Sequence, residues 1–298
     1  MNILPRDKQV EAISALCEGV SIRATARLTG ADRGTVMNLG VVVGRGCAAL
    51  HDTLMRDLRV NRVELDELWS FVGKKQKQVR EGDPAEFGDQ YVFVALAGAA
   101  KAIVSYRVGK RDAPNTRRFV NDVRERVIGA PEISSDAFRA YPLAVERAFG
   151  AECSFGTIDK TFAIDAVPEA ARRYSPGHVV AVARKVHLGD PENISTSYVE
   201  RQNLTLRMQQ RRFTRLTNAF SKKLENHMAA VALYVAHYNF CRVHEALRIT
   251  PAMQLGVTDH IWTIGELVEA ALAGVLPART PEPPLGYAPF TVIDGGRK

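Results

Sequence analysis

The chain has 298 residues, 46% apolar and 24% charged, with a formal net charge of +7 and a pI near 9.3. It can bury a substantial core, in two domains or in one large domain with an appendage, and its basic balance favours an acidic partner, nucleic acid being the commonest. The cysteines Cys17, Cys47, Cys153 and Cys241 are scattered and form no C-x-x-C pair, which excludes a disulfide or zinc framework, and the longest apolar runs, such as YVFVALAGAA, are too short to span a bilayer. With no N-terminal signal pattern, the expectation is a soluble cytoplasmic protein.

From Arg6 to about Leu50 the pattern is three short helices. The first, RDKQVEAISALCEG, turns Val10, Ile13, Leu16 and Cys17 to one face and stops at Gly19. The second, SIRATARLTG, has Ser21 as its N-cap and ends at Gly30; the third is capped by Asp32 and faces Val36 and Leu39 inward. Two short helices joined through a glycine turn, the later one presenting Arg33, Thr35 and Asn38, form a helix-turn-helix pattern whose polar side chains can reach base edges in the major groove. A plain three-helix packing module has the same pattern. Gly40 and Gly44 weaken the far end of the third helix and mark a flexible exit, and Arg56 to Arg62 reads as a basic linker.

At Arg62 the period changes to two. RVELDELWSFVG is a first strand, followed by a charged loop and then by QYVFVALAGAA and KAIVSYRVGK, an antiparallel meander rich in Val, Ile, Tyr and Phe. Asp112 caps a helix running to Val127, with Phe119, Val123 and Val127 on its buried face. PEISSDAF gives a fourth strand ending in Asp136, Tyr141 to Phe149 a helix, and ECSFGTID a fifth strand. Turn-forming AVPEA, YSPGH and GDPEN then punctuate the chain between about Thr161 and Pro191.

Ser195 to Thr217 lacks Gly and Pro and reads as one long helix with Glu200 near its start and Arg201, Arg207, Arg211, Arg212 and Arg215 behind it. Ser197 to Glu200 also fits the capping box S-x-x-E, in which the Glu satisfies a backbone N–H. Ser221 to Phe240 is a further helix whose Leu224, Met228, Val231, Val235 and Tyr238 form the stripe that packs on the sheet. His237, Asn239, Arg242 and His244 cluster after it, suited to phosphate contact or a structural hydrogen bond. A short helix covers Ile264 to Leu272, and the Pro-rich tail reads as extended or disordered.

Three antiparallel strands, helix, strand, helix, strand and a long helix is the order of a ribonuclease H-like α/β fold: a mixed sheet with flanking helices, here preceded by an all-α helix-turn-helix segment. The domains expected are 1–60, 61–255 with an insertion at 160–192, and 256–298. That order brings together the middle of the first strand, the end of the fourth and the start of the long helix. Each carries an acid: Asp66, Asp136 and Glu200. Singly, Asp66 also suits a surface strand and Asp136 an N-cap. Together they repel one another, and divalent cations with hard-oxygen preference relieve that repulsion; two such ions can clamp the attacking and leaving oxygens of a phosphodiester.

ELDELWSFVGKK, SSDAFRAY, SYVERQNLTLRM and AFSKKLENHMAAVALYVAHYNFCRVHEALRITPAM resemble four blocks of the DDE transposases of insertion sequences, most closely the group named after insertion sequence one. The resemblance runs from about Asn61 to Met253. It implies a metal-dependent transposase with Asp66, Asp136 and Glu200 as catalytic and metal-binding acids and Mg²⁺ or Mn²⁺, two ions, as cofactor. Its partners would be the element's terminal inverted repeats and target DNA, held by a homo-oligomer in a nucleoid-associated, cytoplasmic setting. Arg33, Thr35, Asn38, Arg201, Arg207, Arg211, Arg212, Arg215, Arg242 and His244 are the expected DNA contacts. The interval from Asp136 to Glu200 is longer than in many relatives. A nuclease of the same fold, a domesticated DNA-binding descendant and a ligand-sensing regulator are the alternatives.

Overall fold

The computed structural model of the protein describes residues 4–163, 177–214 and 218–273. Its N-terminal helices are α1 (Arg6–Cys17), α2 (Ile22–Thr29) and α3 (Arg33–Leu54). The cap residues act as their positions require: Ser21 Oγ accepts from Ala24 N at 3.2 Å, and Asp32 Oδ1 accepts from Gly34 N at 2.7 Å and Thr35 N at 3.2 Å. Gly30, at φ 71°, ends α2 in the left-handed conformation.

The flexible exit expected at Gly40 and Gly44 is instead the middle of a 22-residue helix. Gly44, with Gly46 beyond it, serves packing. A Cβ on Gly44 would lie 2.2 Å from the carbonyl oxygen of Ala229, and one on Gly46 would lie 2.0 Å from that of Ala271. Two later helices, α7 (Leu224–Ala236) and α9 (Ile264–Ala273), therefore press their backbones directly onto α3. Ile13, Cys17, Val43 and Cys47 join Val63, Leu65, Phe93 and Phe119 in one apolar cluster, so the N-terminal helices and the sheet share a core. The stretch expected to be a linker also pairs, as β1 (Leu58–Arg59) lies parallel to β5 (Val127–Ile128).

The main sheet has six strands in the order β4-β3-β2-β6-β7-β8. Here β2 is Arg62–Val72, β3 Gly88–Ala97, β4 Ala102–Gly109, β6 Glu132–Asp136, β7 Phe155–Ala163 and β8 His178–Leu188. β2, β3 and β4 form the antiparallel meander; β6 runs parallel to β2, and β7 parallel to β6. Helix α4 (Ala113–Arg126) lies between β4 and β5, and α5 (Tyr141–Phe149) between β6 and β7. The architecture is thus a mixed sheet with flanking helices. The stretch 160–192 contributes the end of β7 and all of β8, an antiparallel edge strand that the turn punctuation brackets; residues 164–176 lie outside the described residues.

Helix α6 (Ser197–Gln209) is shorter than its sequence pattern. Gln210 leaves the helical conformation at φ −113°, ψ 103°, and residues 211–213 make a 3₁₀ turn that buries Phe213. Arg212 is drawn inward there, donating to Ser221 Oγ at 2.7 Å and Asn226 O at 3.0 Å. Helix α7 is buried on two sides. Val231, Tyr234 and Val235 meet Val92, Val94 and Leu96 of the sheet, while Ala232, Leu233 and Ala236 join the cluster that contains α3. Met228, expected in the sheet-facing stripe, is exposed. A π turn (His237–Cys241) follows, in which buried Asn239 accepts from Ile103 N and donates to Ile103 O at 3.0 and 2.8 Å, closing the end of β4 as a strand would. A short helix α8 (Pro251–Gln254) precedes α9. Among the described residues no helix is long and apolar enough to cross a membrane. The tail, 274–298, lies outside them.

The glycine contacts make opposite predictions along one helix. Gly46→Ala should lower stability by about 1–3 kcal/mol or more through overpacking. At Gly40 a Cβ would meet only the flexible end of Leu16, at 3.2 Å. Gly40→Ala should therefore be neutral or gain up to about 1 kcal/mol of helix propensity. Thermal unfolding of the two variants checks the pair of signs.

Candidate active site

β2 carries acids at three of four consecutive positions, Glu64, Asp66 and Glu67. It is a central strand, flanked by β3 and β6, so the surface-strand alternative for Asp66 does not hold. Asp66 Oδ2 accepts from Asn203 Nδ2 of α6 at 2.8 Å. Burial, with Asp136 and Glu200 as like charges nearby, pushes the Asp66 carboxyl up to about 6. Asp136 ends β6; its Oδ1 accepts from Phe138 N at 3.0 Å in a local turn, whereas α5 begins only at Tyr141, so Asp136 is not that helix's N-cap. Its carboxyl is also raised by burial, with Glu200 and Asp159 adding repulsion.

Glu200 stands in the first turn of α6, and the capping-box alternative fails on geometry. Glu200 Oε1 is engaged by Thr196 Oγ1 at 2.5 Å and by the Lys160 ammonium, both side-chain groups. The helix start is closed from a different element: buried Glu64 Oε2 accepts from Tyr198 N at 2.8 Å and Val199 N at 2.9 Å. A carboxylate at this position satisfies orphan N–H donors and complements the helix dipole.

Nothing in the sequence pattern singles out Glu67 from its neighbours on β2. Pairing of β2 with β6 stops at Leu65 and Ser135, and just beyond it ligand oxygens of Asp66, Glu67 and Asp136 all lie within 4.8 Å of one another. The Glu67 side chain is only 2% exposed. Burial and then Asp136 push its carboxyl up to about 7. Arg111 bridges the cluster, with Nε 2.9 Å from Glu67 Oε2, Nη2 3.0 Å from Asp136 Oδ2 and its guanidinium 4.0 Å from the Phe138 ring centroid. The hydroxyl of fully buried Tyr141 is the Glu67 carboxyl's other polar neighbour and, by hydrogen bonding to it, opposes part of that rise. Asp66, Asp136 and Glu200 line one cleft of about 580 Å³ together with Arg111, Arg139, Lys160, Phe138 and Phe162. The signal in the sequence for Glu64 and Glu67 was the density of acids on an otherwise apolar strand.

The expected DNA contacts fall in separate places. Arg33, Thr35 and Asn38 are exposed at the start of α3. Arg201 and Arg211 are exposed, and Arg207 is half-buried. Arg212 is half-buried and turned toward Ser221 and Asn226; burial lowers its guanidinium to about 10. Arg215 lies outside the described residues. Arg201, Arg242 and His244 come together, apart from the acids, in a second cleft.

No family model matches the chain, and no curated protein matches it. Among solved structures it is similar to the Mos1 transposase paired-end complex with left transposon end, at 15% identity over 49% of this chain and 58% of that one, with a TM-score of 0.20. It is also similar to the piggyBac transposase synaptic complex with hairpin DNA, at 9% identity over 87% of this chain and 57% of that one, with a TM-score of 0.32. The chain thus spans less than two-thirds of either neighbour's length.

Raised carboxyls make the fold sensitive to pH. A carboxyl whose folded value lies above its unfolded one contributes stability that is complete below about pH 4 and lost as pH rises through the folded value. For Asp66 that window runs from the ordinary 3.8 to about 6. Measured in a chelator, Asp66→Asn should gain stability relative to the unsubstituted protein as pH rises from about 4 to 7, by on the order of 3 kcal/mol at most. Melting curves across that range check it; a difference that is flat with pH would contradict the burial of Asp66 as a charge.

Proposed function

We propose that the protein is a DDE transposase of the insertion-sequence-one-like group, catalysing metal-dependent cleavage and strand transfer at DNA element ends on a ribonuclease H-like domain. The observation that carries the reading is the convergence of Asp66, Asp136 and Glu200 on one cleft from a central strand, its parallel neighbour and the first turn of a helix. The donor set suits a hard divalent cation: carboxylate oxygens of Asp66, Glu67 and Asp136 lie within 4.8 Å of one another. Asp66, Asp136 and Glu200 would hold Mg²⁺ or Mn²⁺, two ions in this reading, and such ions when bound supply Lewis acidity at a scissile phosphate.

The chain's own groups do the rest. Asn203 and the Phe138 turn orient Asp66 and Asp136, and Glu64 fixes the helix start that carries Glu200. Arg111, Arg139 and Lys160 give the cleft a basic rim for phosphates beside the acids. Exposed Arg33, Thr35 and Asn38 read base edges of the terminal repeats, with α2 and α3 acting as a helix-turn-helix. Arg201, Arg207 and Arg211 meet backbone phosphates, and two element ends are held by a homo-oligomer. Because α1–α3 share the core, substitutions rather than truncation test the reading helix: Asn38→Ala should reduce preference for the terminal repeat over random duplex by about 1–3 kcal/mol in competition binding and leave the melting temperature in place.

The central test is Glu200→Gln. Its fold has Glu64 as the helix cap, so folding and DNA binding should persist. Strand cleavage on an end-containing oligonucleotide in Mg²⁺ or Mn²⁺ should fall by about a hundredfold or more, ~3 kcal/mol of transition-state stabilisation. A near-normal cleavage rate would remove Glu200 from the site. Cleavage without joining identifies a nuclease of the same fold, and binding with neither identifies a DNA-binding descendant.

A further inference from the structure

On the side of α6 away from Glu200, that helix, the β3–β4 turn and the segment after the π turn enclose a second cleft of about 490 Å³. Tyr198, Arg201, Gln202 and Thr205, three or four residues apart, form its α6 wall. Lys101 enters from the turn, and Arg242 and His244 from the opposite segment; the acid among the lining residues is Glu245.

Fixed backbone places these groups. Lys101 is held at φ 55°, a left-handed conformation that side chains other than glycine rarely adopt and that clusters at functional positions. Its carbonyl accepts from the Tyr238 hydroxyl at 2.8 Å, and its ammonium lies 3.1 Å from the Tyr198 ring centroid. The Tyr198 ring in turn needs Gly98, where a Cβ would lie 3.1 Å from it. Opposite, the Arg242 Nη1 donor and the ring nitrogen His244 Nδ1 are shielded from solvent and have no hydrogen-bond partner among the described residues. Shielded donors without acceptors are costly, and an oxyanion would supply acceptors and opposite charge at once.

We propose that this cleft is a phosphate seat for a DNA strand, with Lys101, Arg242 and His244 as its donors and Tyr198 as its wall. The occupant rests on the DNA reading given above; the phosphate chemistry does not. The seat lies across one helix, about 10–12 Å thick, from the acids.

The experiment measures binding of a short labelled DNA duplex to the full chain by anisotropy in EDTA, across a salt series, and the melting temperature with inorganic phosphate. Lys101→Asn keeps a residue tolerant of the left-handed backbone, Arg242→Gln keeps length, and Arg147→Gln on exposed α5 removes the same charge elsewhere. Lys101→Asn and Arg242→Gln should each weaken binding about five- to tenfold and lower the salt slope by about 1, with Arg147→Gln changing less. Inorganic phosphate should raise the melting temperature of the unsubstituted protein and not that of Lys101→Asn. If that phosphate effect appears but DNA does not bind, the seat stands and the DNA reading falls. If both cleft variants match Arg147→Gln in affinity and slope, or if neither phosphate nor DNA binds, the seat is overturned.

Discussion

Glu64 is a fully buried carboxylate that holds two backbone N–H groups of another element, and the location of Glu200 follows from it. The first turn of α6 would otherwise leave orphan donors inside the protein, where each costs on the order of 1–3 kcal/mol. The cap ties the central strand to a helix 134 residues away in sequence, and Asn203 adds a second tie to Asp66 about one turn later. Both decide which way the acids face.

Around that anchor the protein concentrates negative charge where water is scarce. Asp66, Glu67 and Asp136 are all raised above their ordinary values, chiefly by burial, and Arg111 neutralises two of them while Lys160 neutralises Glu200. Arg111 is itself half-exposed and stacked on Phe138, so it can leave the acids at modest cost. A divalent cation competing for the same oxygens would free Arg111 and Lys160 on the cleft wall.

Much of this order could be read from the sequence because it rests on local rules. Ser21, Asp32 and Asp112 cap the helices they precede, and the period-two stretches become β2, β3 and β4. Asp66 and Asp136 come together because β6 is parallel to β2, which the order of elements implies. What escaped depends on partners distant in the chain. Gly44 reads as a helix breaker until Ala229 is seen against it. The arginine run past Gln209 reads as helix until Ser221 and Asn226 are found to draw Arg212 inside. Glu64 reads as one more surface acid until α6 begins on it.

Helix α6 divides the charge of this region between its two sides. Glu200 and Asn203 face the acids of β2, whereas Tyr198, Arg201, Gln202 and Thr205 face the cleft that Lys101 and Arg242 make basic. One helix can present both because side chains three and four residues apart share a side while the intervening ones point away. The arrangement is electrostatically consistent only with the helix end closed: the carboxylate of Glu64 lies at the boundary, capping the N–H groups of Tyr198 and Val199 while the Tyr198 ring carries Lys101. The same few residues therefore set the spacing between the acids and the basic cleft, and a polyanion that engages both must fit the width of that helix.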